Sequence, residues 1–552
     1  MYPKKELAQL VVSACNHYNV DTVVISPGSR NAPLTIGFSN HPNIKTYSIV
    51  DERCAAFFAM GIAQQTKKPV ALVCTSGSAL LNYHPAIAEA FYSKIPLLVI
   101  SADRPKHLID IGDGQTIRQE YVFNNHILCS ANLSEDVERI GENIQLISGA
   151  IKKAIEKKGP VHINVPFDEP LYETVESIAE FDFPQFNYEE EIQNWQYDIA
   201  VNIWNASKKV MILVGENFPS EKINTCLEGY FNDEKVIVLT ETISNIHHPN
   251  IINSIDKVIT SFSEEDFEAF KPDLLITFGG MVVSKRIKQF LRKYSPKGHW
   301  HIDKLKDMNT FFCLTGHITL STEEFLTELY KRVNKEKNKS SYQKEWLEAK
   351  LSRNNSHKQF LEKVEYSDLK ACETILASLP DNCQLQVSNS SVIRYTQLFD
   401  LNPSLKVFCN RGTSGIDGST STAIGASIEV EEQTVFITGD VSFYYDSNAL
   451  WNSYIPKSFR IIILNNSGGG IFKIIPGPKS TNALKYFETP HGLTAEHLAK
   501  TYNFEYCSAR NINELNENLI DFYKESDKPK ILEVFTPSDI NDVILKEYFK
   551  NL

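Results

Sequence analysis

Two apolar, β-branched runs, TVFITG (434–439) and RIIILNN (460–466), flank a helix-length segment, and few folds accommodate that pattern. It predicts a βαβ unit with two parallel strands. Asp440 and Asn466 then leave the carboxyl ends of those strands, where open α/β sheets hold their ligands. Neighbouring strands lie roughly 4.8 Å apart, so the two side chains can converge on one small ion. Together with the backbone carbonyl of Gly468 they form an all-oxygen set, which suits magnesium held with phosphates. A strand-end aspartate followed by a turn-forming asparagine pair is the other reading this stretch allows.

The same alternation recurs along the chain. From residue 1 to about 185, the runs DTVVIS, TYSIV, PVALVCTS, PLLVIS and VHINVP are separated by helical segments. The stretch FDFPQFNYEEEIQNWQYD, from Phe181, breaks the pattern and reads as a connector. KKVMILVG, KVIVLT, DLLITFGG and HWHID mark a second unit. From Lys331 to about Lys363 the chain is strongly charged and reads as solvated helix and linker, and a third unit follows, ending with KILEVFT. The expected architecture is α/β, with three doubly wound parallel-sheet domains at 1–185, 186–345 and 346–552. No evident sequence repeat relates the first unit to the third.

A chain of 552 residues is too long for a single core, and 42% hydrophobic content supports extensive burial. The net charge of -12 gives no general attraction to nucleic acid or acidic lipid, so an anionic substrate must meet a local basic cluster. Ten cysteines without a CxxC pair suggest buried free thiols, as at Cys74 and Cys409, rather than a zinc site or disulfide framework. No apolar run has membrane-spanning length and the first residues lack a signal-peptide core, so a cytoplasmic protein without membrane insertion is expected.

Several predicted strand ends carry reactive side chains. Ser29 and Arg30 sit in a Pro-Gly turn between a strand and a helix, where free N–H groups and a guanidinium favour anions. Glu52 opens a helix among apolar residues, a setting suited to proton transfer, although acids are common there for the helix dipole alone. Arg104 follows another strand, and a Gly-rich loop supplies Gln115 and Arg118. Lys285 and Arg286 begin a helix whose apolar residues have helical spacing, which by itself indicates a wet face. The third unit adds Ser390, Arg394, Arg411 and Ile416, the last within a Gly-rich loop able to approach a ligand closely.

As a set, SPGSRNAPL, DER, TSGSALLN, SADRP, QTIRQ, SKR, NRGTSGIDG, GDVSFYYDSNAL and NNSGGGIF resemble the thiamin diphosphate enzymes. More narrowly, they resemble the 2-succinyl-5-enolpyruvyl-6-hydroxy-3-cyclohexene-1-carboxylate synthase family of menaquinone biosynthesis. Val441 stands where the commonest cofactor signature has a third small residue. The resemblance implies thiamin diphosphate with magnesium, or manganese in its place, held by Asp440, Asn466 and the Gly468 carbonyl, with Gly439 and Val441 beside it. It makes Glu52 the catalytic group that activates the aminopyrimidine ring and Ile416 the prop for the bent cofactor. By the same resemblance, Ser29, Arg30, Arg104, Gln115, Lys285, Arg286, Ser390, Arg394 and Arg411 would line the substrate pocket, and Ile471, Phe472 and Ile475 would form its apolar wall. The implied substrates are 2-oxoglutarate and isochorismate, whose four carboxylates account for so many cations. The implied assembly is a homodimer or homotetramer with sites between subunits.

The alternatives are another thiamin diphosphate-dependent 2-oxo acid decarboxylase or an acetolactate-type synthase, or a non-catalytic scaffold on the same fold. A nicotinamide oxidoreductase is disfavoured, because no strand is followed by a GxGxxG turn. No histidine has spacing that marks it as catalytic; His84 alone lies near a family motif.

Overall fold

The structure, a computed structural model, describes residues 1–186, 197–334, 340–475 and 477–552. Most of the connector expected from Phe181 and part of the charged stretch after Lys331 lie outside these residues. The fold class matches expectation: three six-stranded sheets, each entirely parallel in its pairing, are interleaved with helices. Twelve of the eighteen strands in these sheets are the predicted runs; the short strands Ser130–Asn132, Ile251–Ile252, Gly316–Ile318, Gln384–Val387, Lys406–Phe408 and Glu505–Ala509 are not among them. Strands such as Val70–Cys74, Val210–Val214 and Arg460–Asn465 are buried along their whole length.

Strand order relates units that the residues do not. Numbered by sequence within its sheet, the first unit runs 2-1-3-4-6-5, and the third runs 2-1-3-4-6-5 as well. The middle unit runs 3-2-1-4-5-6. In the outer units the order reverses between strands 1 and 3, and this opens a crevice at their carboxyl ends. Those ends lead to Ser29 and Arg30 in the first unit, and to Ser390 and Asp440 in the third.

The outer units are joined by two helices, Glu52–Thr66 and Ser419–Ser427, which follow strand 2 in their respective sheets. Their backbones touch because each offers a glycine: a Cβ on Gly61 would lie 2.1 Å from the Thr422 carbonyl oxygen, and one on Gly425 would lie 2.0 Å from that of Phe58. Around the crossing, Phe57, Phe58 and Met60 share one apolar cluster with Ile424, Phe436 and Phe443. Polar ties frame it: Asn448 donates to Asp51 at 2.8 Å, and Arg53 donates to the Tyr445 carbonyl at 2.9 Å.

The charged stretch corrects a sequence reading. Tyr342–Leu361 is one 20-residue helix, but it is packed rather than merely solvated. Trp346, fully buried, meets Phe262 and Phe270 of the middle unit, while His357 is 2.8 Å from the Tyr548 hydroxyl of the third. Asn245 adds a second link: its amide accepts from the Val407 N–H at 2.8 Å and donates to the Val407 carbonyl at 2.9 Å.

Glycine substitutions should separate packing from propensity. Gly61→Ala is expected to lower stability by about 1–3 kcal/mol, because the helices cannot part without opening the shared core. Gly149, exposed in the helix Ile140–Lys157 with open space around it, should gain about 0.5–1 kcal/mol as Ala. Urea-unfolding midpoints of the two variants test both signs.

Candidate active site

The strand Thr434–Gly439 lies beside Arg460–Asn465 in parallel register, with Gly439 opposite Leu464. Asp440 is therefore brought close to Asn466. Asp440 is buried; its Oδ1 accepts from the Val441 N–H at 2.7 Å and its Oδ2 from the Gly468 N–H at 2.9 Å. Asn466 donates through Nδ2 to Asp368 at 2.8 Å, and its buried Oδ1 has no partner. An ionised carboxylate can only accept, so Asp368 fixes which way round the amide sits. Asp368 is itself held by the Thr536 hydroxyl at 2.5 Å, and burial pushes its carboxyl up to about 6.

The glycines after Asn466 make a close backbone turn. Gly468 has φ +151°, and a Cβ there would lie 2.6 Å from the Glu488 carbonyl oxygen. Its own carbonyl accepts from Gly470 at 2.9 Å. Ile471, Phe472 and Ile475 follow, half-buried, with Phe472 packed on Phe487 at 5.2 Å between ring centroids. His491 was not identified from sequence. Its Nδ1 accepts from the Leu493 N–H, so the neutral ring carries its proton on Nε2, 3.3 Å from Asp440 Oδ2. The Asp440 carboxylate beside it raises its pKa. Its distance along the chain from both signature residues gave no spacing signal.

A cationic cluster lies at the carboxyl end of the same sheet. Arg411, buried, donates to Asn389 Oδ1 at 2.6 Å, and its Nε has no partner. Arg394 is half-buried, also with an unpaired Nε, and burial lowers its pKa against the opposing charge of Asp256. Ser390, in a left-handed conformation at φ 71°, precedes the helix Ser391–Thr396 that carries Arg394. From the middle unit, Lys285 is exposed and Arg286 stacks on Phe549 at 4.7 Å. Lys288, one turn further on, is the residue that the fields of Glu241 and Arg411 reach. From sequence, Lys285 and Arg286 stand out on this helix and Lys288 does not. Glu241 accepts from the Val283 and Ser284 N–H groups at 2.5 and 2.6 Å, and burial pushes it up to about 7.

The first unit contributes a second group of cations. Arg30 is buried, donating to the Phe167 carbonyl at 2.9 Å and pairing with Glu169 at 3.2 Å. Burial, and then the charge of Arg104, lowers its pKa. Arg104 is half-buried with an unpaired Nε, while Ser29 and Gln115 are exposed. Arg118 is paired on the surface with Asp110 at 2.8 Å. Gln119, overlooked in the same motif, is buried and ties the Gly77 N–H to Asn164 at 2.9 Å on each side. Glu52 is the first residue of its helix and half-buried, 3.5 Å from Asn82 Nδ2. Among the described residues, no hydrogen bond or ion pair joins Glu52 to Asp440 or Asn466.

Residues 5–125 match the N-terminal TPP binding domain of thiamine pyrophosphate enzymes, 185–387 the middle domain of thiamine pyrophosphate, and 389–534 the C-terminal TPP binding domain. The chain is 55% identical over the full length of both proteins to a 2-succinyl-5-enolpyruvyl-6-hydroxy-3-cyclohexene-1-carboxylate synthase of Flavobacterium johnsoniae. It is 56% identical, again over both full lengths, to the enzyme so named in Flavobacterium psychrophilum. The protein with that name in Christiangramia forsetii is 52% identical over 99% of each chain. The chain belongs to the 2-succinyl-5-enolpyruvyl-6-hydroxy-3-cyclohexene-1-carboxylate synthase family. It is a thiamin diphosphate-dependent enzyme of three α/β domains. Thiamin diphosphate with a divalent cation fits the cradle between Asp440 and Gly470: the donors are oxygens, and Asn466 Oδ1 is held unpaired by Asp368.

In this synthase, Asp368→Asn leaves one acceptor oxygen for the two donors on Asn466 and Thr536, so the Asn466 amide loses its fixed orientation. Metal-dependent affinity for thiamin diphosphate is expected to fall by about 10- to 100-fold. Quenching of intrinsic fluorescence, titrated with cofactor at fixed magnesium, measures it; unchanged affinity would remove the orienting role from Asp368.

Proposed function

We propose that this protein decarboxylates 2-oxoglutarate and joins the remaining four-carbon unit to isochorismate by conjugate addition. The product is 2-succinyl-5-enolpyruvyl-6-hydroxy-3-cyclohexene-1-carboxylate, for menaquinone biosynthesis. The observation that carries this reading is the pair of arginines, Arg394 and Arg411, whose buried Nε atoms lack partners within one cationic cluster. Unsatisfied buried guanidinium donors call for carboxylate acceptors, and these two substrates bring four. A pyruvate-directed decarboxylase or acetolactate-type synthase gives such a cluster less to bind.

In this reading, Asp440, Asn466 and the Gly468 carbonyl hold magnesium, for which manganese can substitute, while Gly439 and Val441 flank the diphosphate. When bound, thiamin diphosphate supplies a thiazolium ring that takes up the electron pair released as carbon dioxide leaves. Glu52 exchanges a proton with the aminopyrimidine nitrogen. Ile416 backs the cofactor, its carbonyl held by the Ser442 hydroxyl at 2.7 Å. Arg394 and Arg411, with Arg30, Arg104, Lys285 and Arg286, meet substrate carboxylates, and Ser29, Gln115 and Ser390 add hydrogen bonds. Ile471, Phe472 and Ile475 keep water from the reacting carbon. The aminopyrimidine end falls to residues 1–185 and the diphosphate end to 346–552, with 186–345 between them.

The two ends serve one cofactor from different chains of a homodimer or homotetramer. Exposed Val50 and Leu81 near Glu52 support burial of that end against a second copy. Ten free cysteines support a cytoplasmic place for the enzyme, and no helix among the described residues is long and apolar enough to cross a membrane.

Product formation from 2-oxoglutarate and isochorismate tests the reaction, and rapid turnover of pyruvate instead would refute it. Glu52→Gln is expected to keep metal-dependent cofactor binding while turnover collapses, whereas Asp440→Ala loses that binding. If the ends belong to different chains, mixing the two inactive variants as dissociated subunits restores about a quarter of wild-type activity, because each mixed dimer holds one intact site. A mixture that exchanges subunits and stays inactive would place both ends in one chain.

A further inference from the structure

We infer that Glu89 is a positioning residue for the reaction: from the first unit, it holds the loop of the third unit that presents Arg411 to substrate. The inference rests on the proposed role of Arg411. Glu89 lies on the helix His84–Ser93 and is buried, yet no described cation pairs with it. Its four hydrogen bonds come from neutral donors. Oε1 accepts from the Gly412 N–H at 2.5 Å and the Ser93 hydroxyl at 2.9 Å. Oε2 accepts from the Thr413 N–H at 2.6 Å and the Thr413 hydroxyl at 2.7 Å. Three of the four donors belong to the loop directly after Arg411.

Contact between the helix and the loop is close enough to exclude a side chain. A Cβ on Gly412 would lie 2.4 Å from the Glu89 carbonyl oxygen, so both the backbone and the carboxylate of Glu89 hold the same point. On the other side, Asn389 donates to the carbonyls of Asn410 and Gly415 at 2.7 and 2.8 Å and accepts from Arg411. Arg411 therefore leaves a loop clamped from two domains, and its guanidinium has little freedom to follow a shift of that loop. A carboxylate suits the task because two converging N–H groups need two acceptor oxygens, and an amide offers one. Ile416 has a separate anchor in the Ser442 hydroxyl, so the cofactor end of the loop does not depend on Glu89.

Steady-state kinetics of the full-length holoenzyme and its Glu89→Gln, Arg411→Lys and doubly substituted variants test the inference. Glu89→Gln should raise KM for the acid that Arg411 holds by on the order of 10- to 100-fold, with a smaller change in kcat, as displacement by about an ångström would. Affinity for thiamin diphosphate with magnesium should stay near wild type. The double variant should be no worse than Arg411→Lys alone, because both act through one guanidinium. Glu89→Asp, which keeps two oxygens, should fall between wild type and Gln, and it serves if the Gln variant fails to fold. A lowered Tm with unchanged KM, or losses that multiply in the double variant, would overturn the role of Glu89 alone. Unchanged KM for both acids in Arg411→Lys would instead remove the role of Arg411, and the inference with it.

Discussion

The architecture depends on the backbone contact between the helices Glu52–Thr66 and Ser419–Ser427. Two glycines let the chains approach until any side chain would collide with a carbonyl, and the apolar residues around them form one cluster drawn from both outer units. Burial of that size ties the units into a single cooperative body rather than two tethered ones. Both ends of the candidate site hang from this contact: Glu52 begins one of the two helices, and the loop from Arg411 to Ile416 leads into the other.

The middle and third units bury acids of their own. Glu241 and Asp368 are buried acids whose carboxyls are pushed up by desolvation, and each is aimed at backbone, amide or hydroxyl donors rather than at a cation. Arg394 and Arg411 are left with donors unspent. An interior that satisfies its acids with neutral donors and leaves guanidinium N–H donors unpaired is biased toward an incoming anion. That bias arises locally in a chain of net charge -12, so it belongs to the fold rather than to composition.

Much of this was legible in the sequence because it is written locally. Alternating β-branched runs and helical segments specify parallel sheets, and residues just past each run mark the strand ends that carry Arg30, Glu52, Asp440 and Asn466. What escaped is what depends on partners far along the chain. Asp368 and His491 have no motif of their own, and Gln119 closes a motif read for its other residues; each matters through a side chain that tertiary contacts bring to it. Lys288 was indistinguishable from its helical neighbours because periodicity ranks faces by polarity and cannot tell solvent from a charged pocket. The Tyr342–Leu361 helix looked solvated because its charges outnumber the few aromatic residues that anchor it. The shared strand order of the outer units left no trace in residue identities, since a topology constrains where runs fall and not what fills them.

That shared order has a consequence for symmetry. The helices that meet through Gly61 and Gly425 occupy equivalent places after strand 2 of each outer sheet, and each glycine faces the partner helix's backbone. The crossing is therefore a pseudo-twofold interface folded within one chain, with the reciprocity expected of two identical subunits. Equivalence of topology without equivalence of residues lets the two halves carry different side chains at their strand ends, Arg30 and Glu52 in one and Asp440 and Asn466 in the other, while a single mode of docking serves both.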